Sequence, residues 1–144
     1  MTRIGDSVFP NCTSLTGVTI PNGVSSIGGF AFRVCTNLSS VTIPDSVLSI
    51  GENVFDGCNR LLDVTIGNSV MSIGRYAFLT CRSLSSVTIP DSVLSIGYGA
   101  FYDCNGISSV TIGNNVETID SAAFGKCNSL SSITIPASMT RIGV

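Results

Sequence analysis

A 23-residue repeat constrains the fold of this sequence more than any other feature. The period is marked by an isoleucine, followed in all but one case by glycine, at Ile4, Ile27, Ile50, Ile73, Ile96, Ile119 and Ile142. It divides residues 1–144 into a single array of six units: 4–26, 27–49, 50–72, 73–95, 96–118 and 119–141. Because no linker interrupts the period, we expect one domain built as a repeat stack.

Each unit contains two different hydrophobic periods. In the second unit, apolar residues stand at i, i+1, i+4 and i+7, which is the spacing of one face of a short helical turn. These residues are Ala31, Phe32, Cys35 and Leu38. Residues 40–43 then alternate polar and apolar side chains, which is the period of a half-buried strand. The sequence therefore predicts a helical turn followed by a strand in every unit.

One unit is too small to bury its own apolar face. Units must stack with their strands parallel and about 4.8 Å apart, so that each covers the apolar residues of the next. Strand twist and crossover chirality favour right-handed winding. The predicted fold is an α/β-type right-handed solenoid, with a parallel sheet on one side and short helical turns on the other.

The repeat also resembles a known family. The pattern LxxVxIPxxVxxIGxxAFxxCxxL begins at Leu38 and again at Leu84. The first copy has Val54 in place of Ala, and the second has Ile107 in place of the last Leu. This pattern resembles the BspA-like leucine-rich repeats of bacterial and protist surface proteins.

The resemblance implies a leucine-rich-repeat solenoid used for adhesion or protein recognition, usually as a segment of a longer surface protein. It also implies an extracellular or cell-surface location. The first residues of this sequence do not read as a secretion signal, which leaves a cytoplasmic location open.

Composition excludes several functions. Seven Lys and Arg stand against nine Asp and Glu, too few cations for a face that neutralises a run of phosphates, so we expect no nucleic-acid partner. The absence of His removes the usual general base and the commonest transition-metal ligand. We therefore expect no enzyme activity, catalytic residue, metal or cofactor. Ser, Thr, Gly or Asn interrupts every apolar run, so we expect no membrane insertion.

Two columns of identical residues recur at the repeat spacing. Six Phe residues, from Phe9 to Phe124, are expected to stack in the core. Six Cys residues, from Cys12 to Cys127, are never closer than the period. Stacking brings neighbouring Cys within disulfide range, but parallel Cβ vectors favour buried free thiols over bridges or metal binding.

Two surfaces are candidates for binding. Variation between units concentrates on the outer edge, where Tyr and Arg, the residue types typical of protein interfaces, occur. The outer-edge candidates are Phe30, Arg75, Tyr76, Tyr98 and Tyr102. The outward positions of the strands instead form a regular polar file, with the candidates Thr42, Asp63, Thr65, Thr88 and Thr111.

The two surfaces predict two functions. The irregular outer edge favours a non-enzymatic module that binds an extracellular or host-surface protein. The regular Thr and Ser face favours a structural or lattice element that contacts carbohydrate or ice. Residues 1–3 and 142–144 are too short to cap the end units, so end-to-end self-association, or continuation of the array in a longer protein, is also expected.

Overall fold

The computed structural model describes residues 2–143, which form a stack of six coils, one for each repeat unit; we number them coil 1 to coil 6 from the N-terminus. Twelve short strands follow one another along the chain: β1 (Thr2–Ile4), β2 (Gly17–Thr19), β3 (Val24–Ile27), β4 (Ser40–Thr42), β5 (Ser49–Ile50), β6 (Asp63–Thr65), β7 (Ser72–Ile73), β8 (Ser86–Ile89), β9 (Ser95–Ile96), β10 (Ser109–Ile112), β11 (Thr118–Ile119) and β12 (Arg141–Ile142).

The strands form three parallel sheets. The first has seven strands in the order β1-β3-β5-β7-β9-β11-β12, the second is β2-β4-β6, and the third is β8-β10. Paired residues lie one repeat apart, as in Thr42 with Thr65 and Ile50 with Ile73. The parallel stacking of the predicted solenoid is confirmed. The seven-stranded sheet was not predicted, because its central strands are only two residues long and cannot display a period.

The side of the solenoid that carries the predicted strands is interrupted in the middle. Neighbouring strands β6 and β8 are not joined by a ladder. Within the described residues, one long backbone hydrogen bond, from the Ser85 N–H to the Leu62 oxygen at 3.4 Å, joins the two coils here. The equivalent bond one coil earlier, from the Leu62 N–H to the Ser39 oxygen, is 2.9 Å. The sheet therefore opens between coil 3 and coil 4.

The predicted helical turns are wrong. Residues 2–143 contain no helix, and the stretch after each Ile-Gly consists of turns. We call this stretch, for instance residues 29–38, the turn segment, and the face that the segments form the turn side. Each turn segment holds two residues with left-handed backbone, at Phe30 (φ 60°) and Val34 (φ 60°) in coil 2 and at the same positions of every other coil. An α-helix cannot continue through such residues.

The turn side nevertheless has its own hydrogen-bond ladder. In coil 2, the N–H groups of Phe30, Phe32 and Val34 donate to carbonyl oxygens of coil 3 at 2.8, 2.9 and 2.7 Å. The equivalent alternate residues donate in the same way from each of the first five coils. These N–H groups all point towards the next coil, so three backbone hydrogen bonds join each turn segment to the next.

The core consists of columns that run the length of the stack. The Phe column stacks with ring centroids 5.0–5.6 Å apart and interplanar angles of at most 17°, as predicted. The six Cys residues are free thiols. From Cys35 to Cys127, each thiol donates a hydrogen bond to the carbonyl oxygen of the Phe 26 residues earlier, at 3.0–3.3 Å. The expectation about uncapped ends depends partly on Met1 and Val144, which lie outside the described residues.

Candidate functional site

Three of the predicted outer-edge residues form one cluster on the turn side of coils 4 and 5. The rings of Tyr76 and Tyr98 meet edge to face, with centroids 5.2 Å apart and planes at 86°. The guanidinium carbon of Arg75 lies 5.9 Å from the Tyr76 centroid and 5.7 Å from the Tyr98 centroid. Both contacts are within cation–π range, so one charge is shared by two rings. The pKa of the Tyr76 phenol is raised, first by desolvation and then by its neighbour Tyr98.

The position of Tyr76 depends on a glycine in the next coil. Gly99 occupies the same repeat position as Tyr76, and a Cβ at Gly99 would lie 2.6 Å from Cε1 of the Tyr76 ring. Both residues have left-handed backbone, with φ of 54° at Tyr76 and 59° at Gly99. The ring therefore occupies the space that a side chain at position 99 would need, and glycine also suits the backbone at that point.

Tyr102 is seated in the same way. It is one coil away from Gly125 at the same repeat position, and a Cβ at Gly125 would lie 2.7 Å from Cδ2 of the Tyr102 ring. The Lys126 ammonium lies 5.4 Å from the Tyr102 centroid. We call Arg75, Tyr76, Tyr98, Tyr102 and Lys126 the tyrosine patch. It extends over coils 4 to 6, and sequence reasoning had not included Lys126.

The fifth candidate, Phe30, lies elsewhere. It occupies the same repeat position as Tyr76 but two coils earlier, and it is 38% exposed. Asn53 holds that position in the coil between them and is buried with Asp56, which accepts a hydrogen bond from Arg33 at 2.9 Å. The structure therefore does not bring Phe30 together with the tyrosines.

Ion pairs on the turn side leave two cations of the patch free. Arg82 pairs with Asp103 at 2.7 Å and Arg141 with Asp120 at 2.9 Å. Arg82 holds the pKa of the Asp103 carboxyl below its usual value. Within residues 2–143, neither Arg75 nor Lys126 has a carboxylate oxygen within 4.0 Å.

A shallow hollow opens beside the patch. Its volume is about 320 Å³, and it is lined by Arg75, Tyr98, Asp120, Ser121 and Arg141. The hollow lies where the turn side meets the outward face of the seven-stranded sheet, since Arg141 belongs to β12. It gives a ligand that contacts the tyrosines room to reach the Arg75 guanidinium.

The second candidate surface is also assembled. Thr42, Thr65, Thr88 and Thr111 are exposed, and adjacent members are paired in β4 with β6 and in β8 with β10. Asp63 lies two residues before Thr65 on the same face of β6. We call these five residues the threonine face. A groove of about 660 Å³ crosses it at the break between β6 and β8.

A third surface was not predicted. Leu48, Met71 and Leu94 occupy the same repeat position in three successive coils and are 37%, 48% and 43% exposed. They form an apolar stripe at the border of the seven-stranded sheet. The signal that could have revealed it is that the neighbouring coils carry Ser25 and Glu117 at this position, which shows that the position faces solvent.

Five of the six free cysteines are buried, and Cys12 is partly exposed. Burial raises the pKa of the Cys58 thiol to about 12, and it also raises the pKa values of Cys81 and Cys104. No group of three or more metal-ligating side chains occurs within the described part of the chain. Among residues 2–143 there is no helix long and apolar enough to cross a membrane.

Comparison with known proteins gives one family. The BspA type leucine rich repeat region matches in six copies, over residues 2–105 and 49–144. No curated protein matches the chain. Three solved structures that it resembles are bacterial leucine-rich repeat proteins.

The leucine rich repeat protein of T. pallidum is 29% identical with a TM-score of 0.81, over 89% of this chain and 69% of that one. A leucine-rich repeat protein from Bacteroides ovatus is also 29% identical, with a TM-score of 0.75, over 99% of this chain and 43% of the other. A leucine rich cell surface protein from Faecalibacterium prausnitzii is 35% identical, with a TM-score of 0.78, over 81% of this chain and 31% of the other. This chain thus spans less than half the length of two of the three.

Proposed function

Because the chain belongs to the BspA type leucine rich repeat family, we propose that it is a non-enzymatic protein-recognition module that binds its partner through the tyrosine patch. We further propose that it acts at the cell surface as part of a longer protein, a location supported by its 35% identity to a leucine rich cell surface protein. The observation that carries the proposal is the seating of Tyr76 and Tyr102 on glycines of the next coil.

The rings of Tyr76 and Tyr102 are already held in place before a partner binds. Ordering a free side chain on binding costs about 0.5–1.5 kcal/mol, and a ring already held in place avoids most of that cost. Tyr and Arg are also the residue types that most often dominate binding free energy. The tyrosine patch combines three tyrosines, two cations and a fixed backbone within three successive coils.

A pull-down with matched variants tests the proposal. The immobilised chain is exposed to an extract of cell-surface and extracellular-matrix proteins, beside the Tyr76→Ala/Tyr98→Ala variant and the control Thr65→Arg/Thr88→Arg. We expect at least one defined protein to be retained by the wild type and by the threonine variant but not by the tyrosine variant. Each retained protein is then purified, and its Kd is measured against all three chains by isothermal titration calorimetry.

The variants also distinguish the patch from the other surfaces. The Leu48→Ser/Met71→Ser/Leu94→Ser variant alters the apolar stripe alone and serves as a second control. A partner that is retained equally by wild type and tyrosine variant would show that the patch is not the binding surface. Loss of binding only in the stripe variant would move the site to the border of the seven-stranded sheet.

The groove on the threonine face favours a second function, contact with carbohydrate or ice by a regular polar surface. Its lining holds three Thr hydroxyls together with the side chains of Asp63 and Asn68, groups that exchange hydrogen bonds with polyols. The Thr88→Arg substitution would fill the groove without touching the tyrosine patch. Glycan-array binding or thermal hysteresis that is present in the wild type and abolished by Thr88→Arg would favour this second function.

A further inference from the structure

The charges of this chain are unevenly distributed around the coils. The protein has nine carboxylates against seven cations. Five carboxylates make no ion pair within the described residues, and four of these lie away from the turn side, at Asp45, Asp63, Asp91 and Glu117. The turn segments of coils 4 to 6, with Asp120 and Arg141 beside them, instead carry four cations and two carboxylates. An acidic protein therefore has one basic region.

The cations of this region that make no ion pair lie beside the tyrosine rings. Both carboxylates here, Asp103 and Asp120, already have arginine partners. Arg75 and Lys126 make no ion pair within 4.0 Å among the described residues, although Lys126 is near enough to Asp103 to help lower the pKa of its carboxyl. Each of the two cations lies within 6 Å of a tyrosine centroid. Glu52 precedes Arg75 by one coil at the same repeat position but does not approach it within 4.0 Å.

We infer that the partner of the tyrosine patch is an acidic protein segment whose carboxylates pair with Arg75 and Lys126. This inference rests on the proposed function and specifies the chemistry of the partner. The two cations are two coils apart, which is at least about 10 Å along the stack at the spacing of parallel strands. An extended peptide advances about 3.3 Å per residue, so the matching acidic residues are at least three positions apart.

The shape of the patch favours a peptide over an anionic polysaccharide. The Tyr76 and Tyr98 planes stand at 86° to each other, so they offer no continuous flat surface for successive sugar rings. Tyr76 and Tyr102 each lie against a glycine of the next coil. A peptide can place separate side chains against the angled rings and beside the Arg75 guanidinium, which lies within 6 Å of both centroids.

Selection from a random peptide library tests the inference without assuming a partner. The phage-displayed library is selected in parallel on the wild-type chain, on Arg75→Gln/Lys126→Gln and on the control Arg60→Gln. Arg60 is also an exposed cation without a carboxylate within 4.0 Å in the described residues, but it lies outside the patch. Urea midpoints of the three chains show whether all are folded.

We expect Asp and Glu, at least three positions apart, to be enriched on the wild type and on Arg60→Gln and to lose their enrichment on the double variant. For one selected peptide, each single substitution in the patch should weaken binding about three- to five-fold at low salt, with the difference shrinking as salt is raised. Changing its acids to amides should have a similar effect.

Several results would overturn the inference. No enrichment of any sequence, enrichment without acidic residues, or acidic enrichment that survives in the double variant would each do so. Stronger Arg75-dependent binding of polygalacturonate or heparin than of the selected peptides would assign the patch to a polysaccharide. If Tyr76→Ala/Tyr98→Ala loses a protein partner while Arg75→Gln/Lys126→Gln keeps it, the inference fails and the proposed function stands.

Discussion

Replacing Gly99 by alanine separates two costs that the structure places on this position. The new Cβ must adopt left-handed backbone at φ 59°, and it would lie 2.6 Å from the Tyr76 ring. Gly57 provides the control, because it also has positive φ (75°) but its Cβ would meet Val34 only at an ordinary 3.4 Å.

The expected magnitudes differ between the two sites. Left-handed backbone costs an L-residue about 1–2 kcal/mol, and part of this is offset by the reduced entropy of the unfolded chain, about 0.4–1 kcal/mol. Gly57→Ala should therefore destabilise the fold by about 1 kcal/mol. Gly99→Ala should also displace the Tyr76 ring from Tyr98 and Arg75, adding about 1–2 kcal/mol for the lost aromatic and cation–π contacts.

Urea unfolding measures both costs. The chain has no Trp, and its three Tyr residues all lie in coils 4 and 5, so tyrosine fluorescence reports on the patch while circular dichroism reports on the whole stack. A double-mutant cycle with Tyr76→Ala isolates the contact, because without the ring Gly99→Ala should cost no more than Gly57→Ala.

Two results would refute the reasoning. Equal destabilisation by Gly57→Ala and Gly99→Ala would mean that the ring does not rest on Gly99. An unchanged cost of Gly99→Ala in the Tyr76→Ala background would mean that the extra destabilisation has another source. If Gly99→Ala is costly and coupled to Tyr76, it should also weaken partner binding, whereas Gly57→Ala should leave binding intact.

Three further predictions concern the core columns. Phe78→Ala removes a fully buried ring with two stacked neighbours and should lower the free energy of unfolding by about 3–5 kcal/mol. Phe124→Ala changes a partly buried position and should lower it by roughly half as much. Urea titration of the two variants compares these free energies. The unfolding free energy should fall as pH rises above about 9, because the unfolded chain ionises its thiols there while Cys58, with its pKa raised from 9.0 to about 12, stays protonated in the fold. Cys58→Ala should reduce that slope by up to about 1.4 kcal/mol per pH unit, and an unchanged slope would contradict the assignment. In the native chain at neutral pH, iodoacetamide should label Cys12, which is partly exposed, well before Cys58, and mass spectrometry of the digested chain would detect the order.

The fold follows from the sequence wherever a residue repeats at the same position in every coil. The Phe column and the strand at residues 40–43 repeat with little variation, so their burial and register could be predicted. The turn segments could not, because the apolar spacing of Ala31, Phe32 and Cys35 matches a helix while the chain reverses its backbone hand at Phe30 and Val34. Bulky and β-branched residues are unusual at positive φ, and the signal lies only in the other coils, at Gly57, Gly99, Asn11, Asn53 and Asp103.

The site was predictable in part. Interface-forming residue types at variable positions selected Arg75, Tyr76 and Tyr98, which the structure brings into contact, and Tyr102, which contacts Lys126. The same criterion selected Phe30, which lies two coils away, since composition alone does not say which coils are neighbours on a patch. A search for repeat positions that carry an aromatic residue in one coil and glycine in the next would have found the pairs Tyr76–Gly99 and Tyr102–Gly125.

The constant repeat length keeps equivalent residues of successive coils aligned in columns. Contacts between neighbouring coils join residues 21 to 26 positions apart, so loss of a single residue would misalign the contacts between the coils on either side of it. Gain or loss of whole coils leaves all columns in phase. The patch, however, is encoded across coil boundaries, with Tyr76 over Gly99 and Tyr102 over Gly125. Recombination that exchanges a single coil would separate a tyrosine from the glycine against which it lies. The tyrosine patch is therefore preserved only when coils 4 to 6 are exchanged together.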